Sequence, residues 1–163
     1  MQLESYVEGT QVVTRAICVT PHTVGSIDEG SVQLTVRDTT GLAAPDPIVV
    51  RDAGHEGGHL FTTISSVAGN VLTLAAPARA TVRRATVGKL ANPGTVVFTV
   101  RNGDAAPTTL THPNAAISNP STGVWELRLV SDEGEWQIHF QGTTPCHCAA
   151  ETGYRIPHAR AKA

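Results

Sequence analysis

The chain has 163 residues, of which 40% are hydrophobic and only 16% are charged, and its formal net charge is −2. An average soluble domain carries about 25% charged residues, so this composition is typical of a compact body with broad, weakly charged surfaces. Residues 1–90 and 91–163 each carry one net negative charge, and without a basic excess nucleic-acid binding is not expected.

Membrane insertion and secretory export are not indicated either. No apolar run approaches the roughly 20 residues that cross a bilayer, and the segment MQLESYVEGT lacks the basic start and apolar core of a signal peptide. The three cysteines are Cys18, Cys146 and Cys148. Because the number of cysteines is odd and two of them are separated by only one residue, no disulfide framework is predicted.

The apolar pattern of the N-terminal part predicts short β-strands. No window shows the apolar stripe of an amphipathic helix, whereas alternation with period two, bounded by turn residues, recurs. The predicted strands are Val12–Val19, the alternating residues Val32, Leu34 and Val36, then Ile48–Arg51, Leu60–Val67 and Val71–Leu74. We therefore predict a small β-meander or barrel-like module of about five strands.

The segment Ala75–Asn92 is rich in alanine and is flanked by Pro77 and Pro93. A connecting strand, a short helix and a linker all fit this composition. We place a domain boundary near Leu90–Pro93, which gives modules 1–90 and 91–163. The cations of this segment, Arg79, Arg83, Arg84 and Lys89, are interpreted as a solvated edge in preference to an anionic docking site.

The C-terminal part contains three strands with apolar residues on one face and polar residues between them. The apolar sets are Val96, Phe98 and Val100, then Trp125, Leu127 and Leu129, then Trp136, Ile138 and Phe140. The intervening Glu126, Arg128, Gln137, His139 and Gln141 are expected to face solvent or a neighbour. This part holds most of the large aromatic packing surface.

Four segments carry a family resemblance over roughly residues 93–157. They are TVVFTVRNGD, NPSTGVWELRL, EGEWQIHFQGT and AAETGYRI. Together they resemble an immunoglobulin-like module found in structural proteins of tailed bacteriophages. The N-terminal Thr-Thr-Gly-Leu turn and the later Ser-Ser-Val-Ala-Gly-Asn-Val-Leu-Thr-Leu are similar to small β modules of phage tail, fibre and adaptor proteins.

The resemblance implies an all-β protein in which an N-terminal β-meander or barrel-like module is followed by an immunoglobulin-like β-sandwich. It implies a non-enzymatic structural protein located in the virion, as a capsid decoration, head-to-tail connector or tail-associated subunit. Its partners would be other virion proteins and copies of itself, with no nucleic acid, membrane or cofactor. The tails, residues 1–10 and 156–163, are expected to reach adjacent chains. The alternative is a surface module that binds carbohydrate or a receptor through exposed aromatic side chains.

One motif tests the non-enzymatic interpretation directly. His55-Glu56-Gly57-Gly58-His59 matches the H-E-x-x-H pattern of zinc metalloproteases, which requires a helix so that both imidazoles reach one metal. Two glycines within the motif and Gly54 before it disfavour a helix. We interpret the segment as a loop, with His55 and His59 only as candidate metal ligands; an enzymatic hypothesis would rest on this motif alone.

A second candidate metal site is Cys146-His147-Cys148. Thiolates and imidazole are good zinc ligands, but structural sites usually space their cysteines two to four residues apart so that the chain wraps one ion. In the modules that the sequence resembles, this stretch is a strand of apolar or small residues. We therefore interpret both cysteines as filling small-residue positions, and no metal site is predicted.

Overall fold

The fold of the computed structural model is all-β, as predicted, and the structure describes residues 2–8, 11–130, 134–143 and 148–156. The described residues include one turn of 3₁₀ helix, His55–Gly57, and no helix of the length and apolarity that a membrane crossing needs. The strands are β1 (Gln2–Glu8), β2 (Gln11–Ile17), β3 (Val19–Ile27), β4 (Gln33–Val36), β5 (Pro47–Val50), β6 (Leu60–Ala68), β7 (Val71–Leu74), β8 (Val82–Leu90), β9 (Val96–Asn102), β10 (Thr108–Thr111), β11 (Ile117–Ser121), β12 (Val124–Val130), β13 (Gly134–Gly142) and β14 (Cys148–Ile156).

The strands form two compact units, a sandwich and a barrel. The sandwich contains β1, β2 and β9–β14, in two four-stranded sheets with the orders β1-β2-β12-β11 and β10-β9-β13-β14. In the lettering of immunoglobulin-type sandwiches these orders are A-B-E-D and C′-C-F-G. The barrel, residues 19–90, therefore takes the place of the connection between strands B and C.

Alternate residues of the sandwich strands fill its core, since successive side chains of a strand point to opposite faces. Phe98 of β9 and Phe140 of β13 are register partners and pack edge to face, with ring centroids 5.0 Å apart. The core draws on both sheets. Its buried members are Val12, Ala16, Cys18, Val96, Phe98, Val100, Ile117, Trp125, Leu127, Ile138 and Phe140.

The barrel closes in the order β3-β4-β7-β6-β5-β8, and β8 returns to pair with β3. All its pairs are antiparallel. The predicted barrel-like form is confirmed, although β4 pairs with β7 and β5 pairs with β8, whereas a meander pairs only strands that are consecutive in sequence. A separate apolar core fills the interior, formed by Ile27, Leu34, Val36, Leu42, Ile48, Val50, Ala53, Leu60, Ile64, Leu72, Leu74, Ala78 and Val87.

The units divide the chain differently from the predicted modules 1–90 and 91–163. The boundary after Leu90 coincides with the predicted one, but β1, β2 and Cys18 belong to the sandwich. The predicted single strand Val12–Val19 is split at Cys18 into β2 and β3, which serve different cores. The sequence does not show this split, because Ile17, Cys18 and Val19 are all apolar and no turn residue separates the two strands.

The segment Ala75–Asn92, for which three interpretations were open, contains strand β8. The N-terminal tail, expected to reach an adjacent chain, forms edge strand β1 and pairs with β2 over residues 2–8. Ser5 Oγ lies 2.8 Å from Thr14 Oγ1, which satisfies a hydroxyl that is fully buried in the sandwich. Residues 157–163 of the predicted C-terminal tail lie outside the described residues.

The first and last residues of the barrel segment, Val19 and Leu90, lie side by side. A short linker can therefore replace the barrel, and the sandwich should fold without it. The Ala91 N–H donates to the Cys18 carbonyl (3.2 Å), and Val19 is the register partner of Leu90. We expect a chain in which a short Gly-Ser linker replaces residues 19–90 to unfold cooperatively and to give a dispersed amide NMR spectrum.

The isolated segment 19–90 should also fold, because every residue of its apolar core lies within it. It is the matched control for the sandwich piece. Circular dichroism melts and NMR of both pieces check the prediction. An unfolded sandwich piece beside a folded full-length chain would show that the two cores are not independent.

Candidate functional site

Three loops cover the end of the barrel opposite Val19 and Leu90, and we call them the apical loops. They follow β3, β5 and β7 and comprise residues 28–32, 51–59 and 75–81. Loops held on a rigid β scaffold are common carriers of binding function. The apical loops are therefore a candidate binding surface.

Backbone hydrogen bonds join the apical loops to one another. The Gly30 N–H donates to Ala78 O (2.9 Å), the Ala78 N–H donates to Ser31 O (2.9 Å), and the Arg79 N–H donates to Ala53 O (2.8 Å). Ala53 and Ala78 are at most 1% exposed and belong to the barrel core. The loops thus close the barrel and present a braced, exposed surface.

The cationic segment before residue 90 is partly neutralised by acidic residues far away in the sequence. Lys89 Nζ lies 2.7 Å from Asp46 Oδ1, and Arg83 forms an ion pair with Asp28. Within the described residues Arg79 and Arg84 form no ion pair. The segment is neither a uniform basic edge nor a single anion site, and its free charges lie at or near the apical loops.

The H-E-x-x-H motif lies in the loop after β5, not in an α-helix. Its first three residues form the 3₁₀ turn, in which Glu56 has left-handed backbone angles (φ 51°, ψ 38°). The Gly54 N–H donates to Gly58 O (2.8 Å), and a Cβ on Gly54 would collide with the His59 carbonyl. The tight loop therefore excludes the helical spacing on which the motif depends.

The two histidines of the motif have different environments. His59 is 10% exposed at its side chain, and its Nδ1 accepts a hydrogen bond from the Asp52 N–H (3.3 Å) with the Asp52 carboxylate 3.7 Å away. The His55 and Glu56 side chains are 81% and 86% exposed. His59 thus has a structural role in the loop, while His55 and Glu56 project into solvent.

The second candidate metal site falls largely outside the described residues. Cys146 and His147 lie outside them, and Cys148 is the first residue of β14, with its side chain also outside. Cys18, the remaining cysteine, is buried in the sandwich core. Among the residues that the structure describes, no three His, Cys, Asp or Glu side chains gather to hold a metal ion.

Comparison with known proteins gives no relative. No family model, curated protein or solved structure matches the chain. The interpretation of this protein therefore depends on its own geometry and on the sequence resemblance described above.

A charge ladder on the outer face of the sandwich was not anticipated from the sequence. Glu126 of β12 was expected to face solvent or a neighbour, and it does point outward, but its side chain is only 8% exposed. Arg15 Nη2 lies 2.7 Å from its Oε1, and Arg128 Nη2 lies 3.1 Å from its Oε2. Arg128 also contacts Glu8 (2.6 Å), and Arg15 lies over the Tyr6 ring.

The two arginines keep the buried Glu126 ionised. Burial acts to raise the pKa of Glu126, but the hydrogen bonds and charges of Arg15 and Arg128 outweigh it and hold that pKa below its ordinary value of 4.5. Arg15 is the direct register partner of Glu126 across the β2–β12 ladder. The cluster thus specifies one register for two strands that are distant in sequence.

Replacing Glu126 with glutamine should cost about 2 kcal/mol at neutral pH, between the values typical of exposed and of buried ion pairs. Because the folded-state pKa is depressed, this stabilisation is complete above pH 4.5 and is lost as the pH falls through the folded-state pKa. Urea denaturation of wild type and Glu126→Gln from pH 7 to pH 3 measures the difference. Glu56→Gln, at an exposed site, is the control. If the difference in unfolding free energy between wild type and Glu126→Gln does not change with pH, the proposed stabilisation by ionised Glu126 is contradicted.

The different environments of His55 and His59 predict different effects of their replacement on stability. His59→Ala should lower the free energy of unfolding by about 1–2 kcal/mol, because it removes the packing of a side chain that is only 10% exposed together with its hydrogen bond to the Asp52 N–H. His55→Ala should change it by less than about 0.5 kcal/mol, as expected of an exposed residue. Denaturation curves, with elemental analysis of the purified protein for zinc, check this. One zinc per chain, lost in both variants, would establish a metal centre instead.

Proposed function

We propose that the protein is a non-enzymatic structural subunit of a tailed-phage virion, a capsid decoration, head-to-tail connector or tail-associated protein that mediates assembly contacts. One observation carries the proposal: a barrel with its own core is inserted into the B–C connection of a sandwich. Such an insertion adds a second binding body to a scaffold without disturbing the scaffold. This organisation suits a subunit that contacts more than one neighbour.

The features of the apical loops support an assembly role. They are braced by backbone hydrogen bonds and display Arg51, Arg79, Glu29 and Glu56 to solvent. Mixed charges on a preorganised surface favour specific docking, since little conformational entropy is lost on binding. The partners in this proposal are other virion proteins and further copies of the chain, with no nucleic acid, membrane or cofactor, and its location is the virion.

A surface module that binds carbohydrate or a receptor is the second candidate function. The prediction of carbohydrate binding from the sequence required exposed aromatic side chains, but Trp125 is 6% exposed and belongs to the sandwich core. Trp125→Ala would therefore report on stability more than on binding. The candidate retains support from a groove on the sandwich that Thr99, Arg101, Gln137 and His139 line.

The virion proposal predicts that particles of a phage that carries this gene contain the protein in a fixed ratio to the major capsid protein. Quantitative mass spectrometry of gradient-purified particles measures that ratio. Absence of the protein from particles that contain the remaining structural proteins would refute the proposal.

A charge reversal tests the apical loops within the same system. The triple substitution of Arg51, Arg79 and Arg84 by glutamate should reduce incorporation at least tenfold, while Arg37→Glu at the opposite end of the barrel should leave it unchanged. Equal incorporation of both variants would place the assembly contact elsewhere on the chain.

A further inference from the structure

A small, open groove lies on the outer face of the sheet β10-β9-β13-β14, and it is lined mainly by polar side chains although much of its surface is apolar. The apolar residues of β9 and β13 point into the sandwich core, so the residues between them point outward. The groove has a volume of about 230 Å³. Its lining consists of Thr99, Arg101, Pro107, Gln137 and His139.

The strand register arranges four of these side chains as a square. Thr99 is the direct partner of His139, and Arg101 is the direct partner of Gln137. Direct cross-strand neighbours have Cβ atoms roughly 5 Å apart, and residues two apart on one strand are separated by about 7 Å. Four polar groups therefore converge on one small area of a rigid sheet, with Pro107 beside them.

Arg101 is oriented by its own turn but keeps donors for a ligand. Its Nε donates to Gly103 O (2.9 Å), and Nη2 lies 3.8 Å from the fully exposed Asp104 carboxylate. Arg101 lines the groove, and its Nη1 forms no hydrogen bond or ion pair within the described residues. The planar fork of a guanidinium binds a carboxylate in a bidentate manner.

The other polar groups of the groove also have unused hydrogen-bonding capacity. In the part of the chain that the structure describes, the Gln137 and His139 side chains form no hydrogen bond. An amide and an imidazole can each donate and accept, as sugar hydroxyls require. On the adjacent β14, Glu151 is the register partner of His139, and its side chain lies outside the described residues.

The size and chemistry of the groove define one class of ligand. Pockets for drug-sized ligands measure roughly 300–1,000 Å³, so this groove accommodates a single small ring. One permanent cation matches one planar carboxylate, while a phosphate dianion would need more positive charge. We propose that the groove binds a carboxylated monosaccharide unit of the uronate type, with the carboxylate on Arg101 and hydroxyls on Thr99, Gln137 and His139.

This inference is independent of the assembly role proposed above. The groove belongs to the sandwich, whereas the apical loops belong to the barrel, so either assignment can fail alone. A virion subunit with such a groove would adhere to acidic surface polysaccharide in addition to holding its neighbours.

The test titrates the full-length protein with sodium glucuronate and follows the amide NMR spectrum. Expected shifts concentrate on β9 and β13 around residues 99–101 and 137–139, with saturation in the millimolar range or below. Glucose and acetate are the matched probes, because each lacks one half of the proposed recognition. Both should bind at least tenfold more weakly than glucuronate.

Arg101→Gln should weaken glucuronate binding at least tenfold, and Arg37→Gln, at an exposed position of the barrel outside the apical loops, should leave it unchanged. Thermal melts of both variants exclude unfolding as the cause. The proposal is overturned if glucuronate produces no saturable shifts, if the shifts lie elsewhere, or if Arg101→Gln binds as the wild type does. Equal binding of acetate, or tighter binding of an acidic peptide, would also overturn the saccharide assignment.

Discussion

The antiparallel ladder between β2 and β12 is the interaction on which the rest of the structure depends. It joins residues 11–17 to residues 124–130 without a register shift, and so places the first strands of the chain in the same sandwich as the last. Because of this pairing the chain must leave the sandwich at Cys18 and return at Ala91. The barrel is then an insertion, and Arg15 lies opposite Glu126, whose buried charge would be costly in any other register.

The sequence predicted which segments form strands better than it predicted which strands pair with one another. Period-two alternation identifies β4, β9 and β13 because one face of each is buried, and the turn residues around Gly69-Asn70 mark the β6–β7 hairpin. Nothing at Cys18-Val19 marks the break between β2 and β3, which follow each other directly in sequence yet serve two cores. Pairing between distant strands depends on the complementarity of whole faces, and a single sequence does not display it.

The candidate sites were predicted where the signal is local in sequence and missed where it depends on residues that are distant in sequence. The glycines of the His55–His59 segment correctly predicted a loop, because their effect is local to the backbone. The burial of Glu126 was missed, since its partner Arg15 is 111 residues away. Of the groove residues, only Gln137 and His139 were predicted to face outward; that Arg101 pairs with Gln137, and Thr99 with His139, requires the register.

The insertion also imposes an order on folding. Every contact of the barrel core lies within residues 19–90, whereas β2 cannot pair with β12 until residues 124–130 exist. Domains that are complete in sequence fold first during synthesis, so the barrel forms while the β1–β2 hairpin still exposes its apolar face. The folded barrel then holds Cys18 and Ala91 together, which shortens the loop that the β2–β12 pairing must close and lowers its entropic cost. The inserted unit thus helps its host to fold.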